Sequence, residues 1–245
     1  MNTLILNAQN LQQSYGTLEA VKNFTAEIRT GELVGLLGPN GAGKSTTLRM
    51  LTGLQQPTKG SISYLNYDIA DHPIEARRHF GYVAEQPMII PYLTGTEYVQ
   101  FVAGMYGVDG NTAINRAEPY IDKFRLTGAI HKRADQYSHG MQQKIALIAQ
   151  LVHEPKILLA DEPTVGLDPD GTLEMQNVFR EYVAAGNSIL LSTHLLEMAE
   201  GLCSRVLILS KGTLLADQLI DEDWLQSHGH LQDYFFMLTR EGVSH

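Results

Sequence analysis

Short apolar runs alternate with helical patterns along much of the chain. Residues 33–37 form an uninterrupted apolar run that ends in a glycine-rich turn, and residues 46–54 then place apolar side chains at helical spacing. The same pattern returns in the second half. Further strand-like runs lie at 157–160, 188–192 and 206–209, with helical patterns at 173–184 and 195–201. Strands that alternate with helices predict an α/β fold with a mainly parallel sheet.

The middle of the chain carries helical patterns and no strand pattern. The predicted helices there are 97–106, 111–124, in which Pro119 is a potential break, and 140–153. Short strands within 4–18 and at 60–64, with a hairpin turn at 210–213, predict a small antiparallel layer beside the parallel sheet. We therefore predict a core domain from 1–86 and 156–216, an inserted helical subdomain at 87–155, and a short, mobile and solvated tail at 217–245.

Composition narrows the class of protein. The 245 residues include 18 basic and 27 acidic side chains, a formal charge of −9 that argues against a nucleic acid partner. The 44% of hydrophobic residues is typical of a folded globular protein. No apolar run approaches the ~20 residues that span a bilayer, and the first residues lack a signal-peptide pattern, so we expect a cytosolic location. Cys203, the single cysteine, excludes an internal disulfide and is expected to be buried.

The glycine-rich turn after the run at 33–37 matches the phosphate-binding pattern G-x-x-x-x-G-K-[ST]. Its residues are Gly38, Pro39, Asn40, Gly41, Ala42, Gly43, Lys44, Ser45 and Thr46. The glycines allow backbone N–H groups to surround phosphate oxygens, and the following helix points its positive end at them. Lys44 is expected to reach the outer phosphates, and the Ser45 hydroxyl is expected to coordinate Mg²⁺.

Two neighbouring carboxylates, Asp161 and Glu162, follow the apolar run at 157–160. Ligands bind at the carboxyl edge of parallel sheets, where this run would end. Consecutive strand residues point to opposite faces, so the two acids are expected to differ in role. Asp161 is predicted to hold Mg²⁺ and Glu162 to polarise the attacking water. Together with the phosphate loop, this pair predicts a nucleoside triphosphatase that uses Mg²⁺. The family resemblance described next implies that the nucleotide is ATP.

These two motifs and the residues around them resemble the nucleotide-binding domain of ABC transporters, over residues 4–215. Residues 137–144, Tyr-Ser-His-Gly-Met-Gln-Gln-Lys, resemble the signature segment of that family. Ser138 and Gly140 match it, while His139 and Met141 depart from the commonest form and resemble a variant of bacterial exporter ATPases. The resemblance implies that Ser138 and the following helix bind the γ-phosphate held by the opposite subunit of a homodimer.

Three further residues resemble family motifs near the nucleotide. Asp168, in Gly-Leu-Asp at 166–168, resembles the loop that crosses the dimer interface. His194 follows the run at 188–193 and resembles the histidine that contacts the γ-phosphate. Tyr15 resembles the aromatic residue that stacks on adenine; a half-buried strand tyrosine is the alternative interpretation.

The chain departs from the family where a glutamine usually joins the core to the helical insertion. That position falls on Glu85, with Gln86 next to it, and either residue could sense Mg²⁺ and water. Residues 87–93 are apolar, which suggests a partner surface; burial under the helices is the alternative. The resemblance implies that a separate membrane-spanning subunit docks along residues 85–93.

The resemblance implies the ATPase subunit of an ABC transporter at the cytoplasmic face of the membrane, with export favoured over uptake. Two alternatives are a soluble ABC ATPase that acts on ribosomes, DNA or a protein assembly, and a binding module that does not hydrolyse ATP. The first usually needs two nucleotide domains or a coiled coil, which this chain lacks. The second conflicts with the presence of Lys44, Asp161, Glu162 and His194.

Overall fold

The computed structural model describes residues 3–241, whose strands form one mixed sheet. The strands are β1 (Leu4–Tyr15), β2 (Leu18–Arg29), β3 (Leu33–Leu37), β4 (Lys59–Tyr64), β5 (Tyr67–Asp68), β6 (Phe80–Val83), β7 (Ile157–Asp161), β8 (Ser188–Thr193), β9 (Arg205–Ser210) and β10 (Thr213–Leu219). Their order is β5-β4-β1-β2-β10-β9-β3-β8-β7-β6. The run from β9 to β6 is parallel, while β5, β4, β1 and β2 are antiparallel, as is the hairpin of β9 and β10. The predicted fold class is therefore confirmed.

Helices cover both faces of this sheet. They are α1 (Lys44–Leu51), α2 (Pro73–Arg77), α3 (Gly95–Met105), α4 (Gly110–Lys123), α5 (His139–Leu151), α6 (Pro169–Ala184), α7 (Leu196–Leu202), α8 (Glu222–His228) and α9 (Leu231–Glu241). Alternate residues of the central strands enter different cores: Leu33 and Leu37 pack with the helices from α3 onward, whereas Val34 and Leu36 pack with α1, α2 and the antiparallel strands. This arrangement explains the continuous apolar runs, because a sheet covered on both faces buries every side chain.

The helices between β6 and β7 pack against one another, and α5 also lies on β6. Thr94 begins α3 with a capping box, in which its side chain accepts from Glu97 N and Glu97 Oε2 accepts from Thr94 N at 2.8 Å. Pro119 does not break α4, whose neighbours Ala117 and Ile121 are buried against the other helices. Burial of this apolar face offsets the hydrogen bond that proline removes.

The prediction of a mobile, solvated tail after residue 217 is wrong for the described residues. Residues 222–241 form α8 and α9, and Trp224, Leu231 and Phe235 are buried in the core. Glu200 on α7 accepts a hydrogen bond from Leu231 N and contacts His230 Nδ1 at 3.0 Å, which ties α9 to α7. The hydrophobic contacts of three large side chains therefore fix this segment on the domain.

Cys203 is 4% exposed, and burial raises the pKa of its thiol to about 12. The expectation of a small buried side chain is confirmed. Within residues 3–241, no helix combines the length and the apolar character that crossing a membrane requires.

Candidate functional site

The phosphate loop connects β3 to α1 at the carboxyl edge of the parallel strands. Gly43 has a φ of 107°, and a Cβ atom there would lie 2.5 Å from the carbonyl oxygen of Ala20. A Cβ atom at Gly38 would lie 2.4 Å from the carbonyl oxygen of Leu209. Neither position can accept a side chain, because the loop backbone lies directly against β2 and β9. The two glycines thus allow the close approach of the loop to these strands.

Lys44, the first residue of α1, is 7% exposed. Its ammonium group donates to the carbonyl oxygen of Gly38 at 2.8 Å and lies 3.8 Å from Glu162 Oε1. A buried ammonium group needs such partners, since burial without them is costly. The loop therefore holds one positive charge inside the curve of its own backbone.

Asp161 and Glu162 lie at the end of β7, and both are buried. The hydroxyl of Ser192 on β8 donates to Asp161 Oδ1 at 2.5 Å, and Glu162 N donates to the same hydroxyl and to the Ser192 carbonyl oxygen, both at 3.1 Å. Glu162 has a φ of 46°, which is uncommon for a residue with a side chain. The two carboxylates have different partners, since Asp161 contacts the Ser192 hydroxyl and Glu162 contacts Lys44.

His194 follows β8 directly. Its Nδ1 atom lies 2.9 Å from Glu162 Oε2, and its side chain is 52% exposed, whereas that of Glu162 is 10% exposed. One carboxylate thus contacts a lysine through Oε1 and a histidine through Oε2. The cluster brings together a cation, an acid and an imidazole, which suits proton transfer and phosphate binding.

An open cleft of about 910 Å³ lies above the phosphate loop. Most of the predicted site residues line it: Tyr15, Asn40, Gly41, Ala42, Gly43, Lys44, Ser45, Thr46, Glu85, Glu162 and His194. Tyr15 stands at the rim, 48% exposed, with its hydroxyl donating to Gln55 Oε1 at 2.6 Å. Gly38, Pro39, Asp161 and Gln86 lie outside the lining set. Of the two candidates at the family's glutamine position, only Glu85 faces the cleft.

The signature residues do not reach this cleft. Ser138 is exposed and begins α5 by accepting a hydrogen bond from Met141 N at 3.3 Å. A Cβ atom at Gly140 would lie 3.0 Å from the carbonyl oxygen of Gly166, so the start of α5 packs on the loop after Glu162. Asp168 begins α6, where its side chain accepts from Gly171 N at 2.9 Å. Neither Ser138, Gly140 nor Asp168 lines the cleft above the phosphate loop.

The side chains and loop of this site fit Mg²⁺ and a nucleoside triphosphate. The Ser45 hydroxyl and the Asp161 carboxylate are hard oxygen ligands of the kind that Mg²⁺ prefers, and the phosphate loop supplies N–H groups and Lys44 for phosphate. Tyr82 on β6 adds no charge: burial, with a contribution from Asp161, raises the pKa of its phenol to about 12. The site therefore offers a hydroxyl and a cation in the cleft, with the Asp161 carboxylate buried behind them.

Two residues close to the site were not predicted. Ser192 binds both neighbouring acids, and its position is set by the parallel register of β7 and β8, where Asp161 pairs with Ser192. Gln143 on α5 donates from Nε2 to the carbonyl oxygen of Glu85 at 2.6 Å. Both act through tertiary contacts, and neither carries a local sequence signal beyond a polar residue in an apolar segment.

The chain is similar to known proteins over most of its length. A profile of the family described as ABC transporter matches residues 21–165. The ABC-type transporter ATP-binding protein EcsA of Bacillus subtilis is 32% identical over 98% of this chain and 99% of its own length. The probable multidrug ABC transporter ATP-binding protein YbhF of Escherichia coli is 34% identical over 91% of this chain, which spans 38% of that protein.

Two solved structures support the same assignment. The structure of an ATP binding subunit of an ABC transporter has a TM-score of 0.89 and 34% identity, and covers 96% of this chain and 99% of its own. The dimeric post-hydrolysis structure of the ATP-binding cassette MJ0796 with ADP and Pi has a TM-score of 0.80 and 28% identity, and covers 89% of this chain and 99% of its own. With the phosphate loop and carboxylates in place, the chain belongs to the ABC transporter family, as an ATP-binding subunit with ATPase activity.

Proposed function

We propose that two copies of the chain close head to tail around two ATP molecules, each bound between the phosphate loop of one copy and Ser138 of the other. Ser138 is exposed and lies outside the cleft of its own chain. The start of α5 is the positive end of a helix, which attracts phosphate oxygens. The MJ0796 cassette is dimeric, which supports this arrangement.

The observation that carries the catalytic proposal is the contact of Glu162 with both Lys44 and His194. Lys44 would bind the outer phosphates, while Ser45 and Asp161 would hold Mg²⁺. When bound, the ion would neutralise charge on the phosphate oxygens. Glu162 accepts a proton from the attacking water, and His194 orients Glu162 and contacts the γ-phosphate.

Other residues of the cleft complete the proposed site. Tyr15 stacks on the adenine ring from the rim, where its side chain is exposed and its hydroxyl is held by Gln55. Glu85 is the residue of its loop that senses the metal and water, because it faces the cleft and Gln86 does not. Asp168 contributes at the interface between the two copies.

We further propose that a separate integral-membrane subunit docks along residues 85–93, at the cytoplasmic face of the membrane. In this loop Met88 is 92% exposed and Tyr92 is 76% exposed. Exposed apolar side chains of this size indicate a partner surface. The subdomain at 87–155 would pass the motion of the ATP dimer to this partner. The multidrug name of YbhF and the variant signature favour export.

A Glu162→Gln variant tests the dimer and the role of Glu162 together. Without a proton acceptor, the variant is expected to bind Mg²⁺ and ATP, to lose ATPase activity by ~1000-fold, and to accumulate as a dimer. Sedimentation velocity with and without ATP, beside an ATPase assay, measures both results. Glu197→Gln, at an exposed acid of α7, is the matched control and should behave like the parent. A variant that hydrolyses ATP at the parent's rate, or stays monomeric with ATP, contradicts the proposal.

Membrane capture tests the docking loop. Immobilised parent protein is expected to retain an integral-membrane protein from detergent-solubilised membranes of its source, and Met88→Asp with Tyr92→Asp is expected to lose it. Met105→Asp serves as the control, since Met105 is an exposed methionine (68%) on α3, outside this loop. Equal capture by the loop variant and the parent would place the partner surface elsewhere.

A further inference from the structure

Gln143 is a fully buried polar side chain on α5, five residues after Ser138. Its Nε2 atom donates to the carbonyl oxygen of Glu85 at 2.6 Å, across 58 residues of sequence. Glu85 lines the nucleotide cleft of the same chain. A longer contact joins the same Nε2 atom to the Ala84 carbonyl oxygen at 3.5 Å. This amide therefore joins the loop beside the ATP cleft to the helix whose first turn is proposed to face the other copy.

The other end of this amide, Oε1, has no hydrogen-bond partner in the part of the chain that the structure describes, although the atom is buried. Buried polar atoms are almost always paired, and an unpaired one is destabilising. An aliphatic side chain at this position would avoid that loss, so packing alone does not account for glutamine here. The bond to the Glu85 carbonyl oxygen is the interaction that requires an amide.

Gln150 on the same helix provides a comparison within the molecule. It lies seven residues, about two turns, after Gln143, so the two side chains share one face of α5. Gln150 Oε1 accepts from Tyr82 N at 3.2 Å on the edge strand β6, away from the cleft-lining residue Glu85. The helix is thus attached to the sheet at one point and to the Glu85 loop at another.

We infer that Gln143 is a positioning residue that couples the two ATP sites of the proposed dimer. A change in the Glu85 loop when ATP enters the cleft is passed through Gln143 to α5, and so to the orientation of Ser138 toward the ATP of the other copy. Coupling through a direct contact of this kind is reciprocal, so engagement of Ser138 also acts on Glu85. The inference rests on the proposed head-to-tail dimer.

The test compares Gln143→Met with Gln150→Met, both in the Glu162→Gln background. Methionine keeps the length of the side chain and removes the amide. Gln143→Met is expected to weaken ATP-driven dimerisation by ~10-fold, a usual size for coupling between sites, and to change ATP affinity of the monomer by less than about twofold. Gln150→Met is expected to leave dimerisation within about twofold. Sedimentation equilibrium gives the first quantity, equilibrium dialysis at low protein concentration gives the second, and thermal melts compare stability.

Hydrogen exchange of the Glu162→Gln chain tests the inference without any substitution at Gln143. Below the dimerising concentration, added Mg²⁺ and ATP are expected to change the exchange of the amides at 139–142, at the start of α5. Unchanged exchange there overturns the inference, as does normal dimerisation by Gln143→Met or equal weakening in both methionine variants. If Glu162→Gln itself never dimerises with ATP, the dimer proposal fails and this inference fails with it; if it dimerises and Gln143→Met matches it, this inference alone fails.

Discussion

The ATP cleft and the start of α5 are both suited to binding phosphate, but they are built differently. At the cleft, Lys44 and Glu162 line the wall and Asp161 lies behind it; all three are buried, and each is held by loop backbone or by Ser192. At the start of α5, Ser138 is exposed and its hydroxyl contacts the helix that follows. The cleft holds charged side chains that the surrounding backbone fixes, whereas the start of α5 offers only the partial positive charge of a helix end.

This difference indicates which of the two can act alone. A cleft with its own cation can bind ATP in a single chain. A helix end without a charged side chain binds a phosphate weakly, and it becomes useful when another chain presents a phosphate to it. Changes at four positions bear on these two regions, and their expected effects decrease from Lys44 to Asp168.

Replacing Lys44 by alanine should have the largest effect. The change removes the only ammonium group that the cleft-lining set holds within 4 Å of Glu162 among the described residues. ATPase activity is expected to fall by ~1000-fold, about 4 kcal/mol, and ATP binding to the single chain is expected to weaken strongly. Steady-state kinetics and equilibrium dialysis measure these changes. ATP binding equal to that of the parent would show that the loop backbone alone carries the affinity.

Ser138→Glu should spare ATP binding by the single chain and still abolish turnover. The new carboxylate would face a phosphate of the other copy, and like charges in contact cost several kcal/mol, so a loss of several hundredfold in ATPase activity is expected. A mixture of Ser138→Glu with Lys44→Ala should recover activity. In a head-to-tail dimer, half of the randomly mixed pairs contain one intact composite site, and roughly a quarter of parental activity is expected.

Recovery in that mixture distinguishes a head-to-tail dimer from an arrangement in which each chain uses its own signature segment. If each chain used its own signature segment, both variants would stay inactive in any combination. Ser138→Ala is the matched control for the added charge, since it removes the hydroxyl without repelling phosphate. If the mixture has no more ATPase activity than either variant alone, the proposal that each ATP site is shared between two copies is wrong.

Acid should destabilise the helical side of the molecule through His153, which follows α5 and stacks on Tyr106 with ring centroids 3.6 Å apart. Burial lowers the pKa of His153 to about 4 in the folded chain, against an ordinary value near 6.5. Between these two values the unfolded chain binds a proton that the folded chain does not. The free energy of unfolding should therefore fall as pH decreases through this window, by about 3 kcal/mol at most.

Urea unfolding between pH 7.5 and pH 4 measures this loss. His153→Phe, which keeps the stack, should flatten the curve relative to the parent. His230→Gln is the control with the opposite pH dependence. The contact with Glu200 raises the pKa of His230, so the stability that this contact contributes is lost as pH rises through the raised pKa. The same steep loss in His153→Phe as in the parent would assign the acid sensitivity to other groups.

Substitution of Asp168 should have the smallest effect of the four. It separates the role of Asp168 as a helix cap from any role in ATP hydrolysis. Asp168→Asn keeps a good helix cap for α6 and removes the charge, whereas Asp168→Ala is expected to lose about 1 kcal/mol of stability with the cap. If Asp168 also acts at the dimer interface, Asp168→Asn should lower ATPase activity severalfold with an unchanged melting temperature. Activity equal to the parent's in Asp168→Asn would confine this residue to capping.

The sequence predicted the strands around the cleft better than β2 and the helices at the C-terminal end, for physical reasons. The predicted strand at 33–37 matches β3, and the predicted runs at 157–160 and 188–192 fall within β7 and β8, because strands buried on both faces are continuously apolar. β2 was not recognised. Its alternation is interrupted by irregular pairing with β1 and by Asn23, which has a φ of 49°. Such irregularities hide the two-residue period on which strand prediction depends.

The helices at the C-terminal end were missed although a signal was present. Leu231, Tyr234, Phe235 and Leu238 stand at i, i+3, i+4 and i+7, the spacing of an amphipathic helix. The segment is short, and its stability depends on docking against α7, which the sequence does not reveal. Ser192 and Gln143 were missed for a related reason, since their partners are fixed by strand register and helix packing. The roles of the individual site residues stay predictions until the variants above are measured.

The position of β3 in the sheet also governs when the cleft can form during synthesis. β3 carries the phosphate loop, yet its two neighbours are β8 and β9, and Leu33 accepts a hydrogen bond from Ser204 across 171 residues. At translation rates of about 5–20 residues per second, the phosphate loop waits roughly 10 to 30 s after leaving the ribosome before both neighbours exist. Contacts of this separation form slowly, so we expect the phosphate loop to reach its final position only after β9 has emerged.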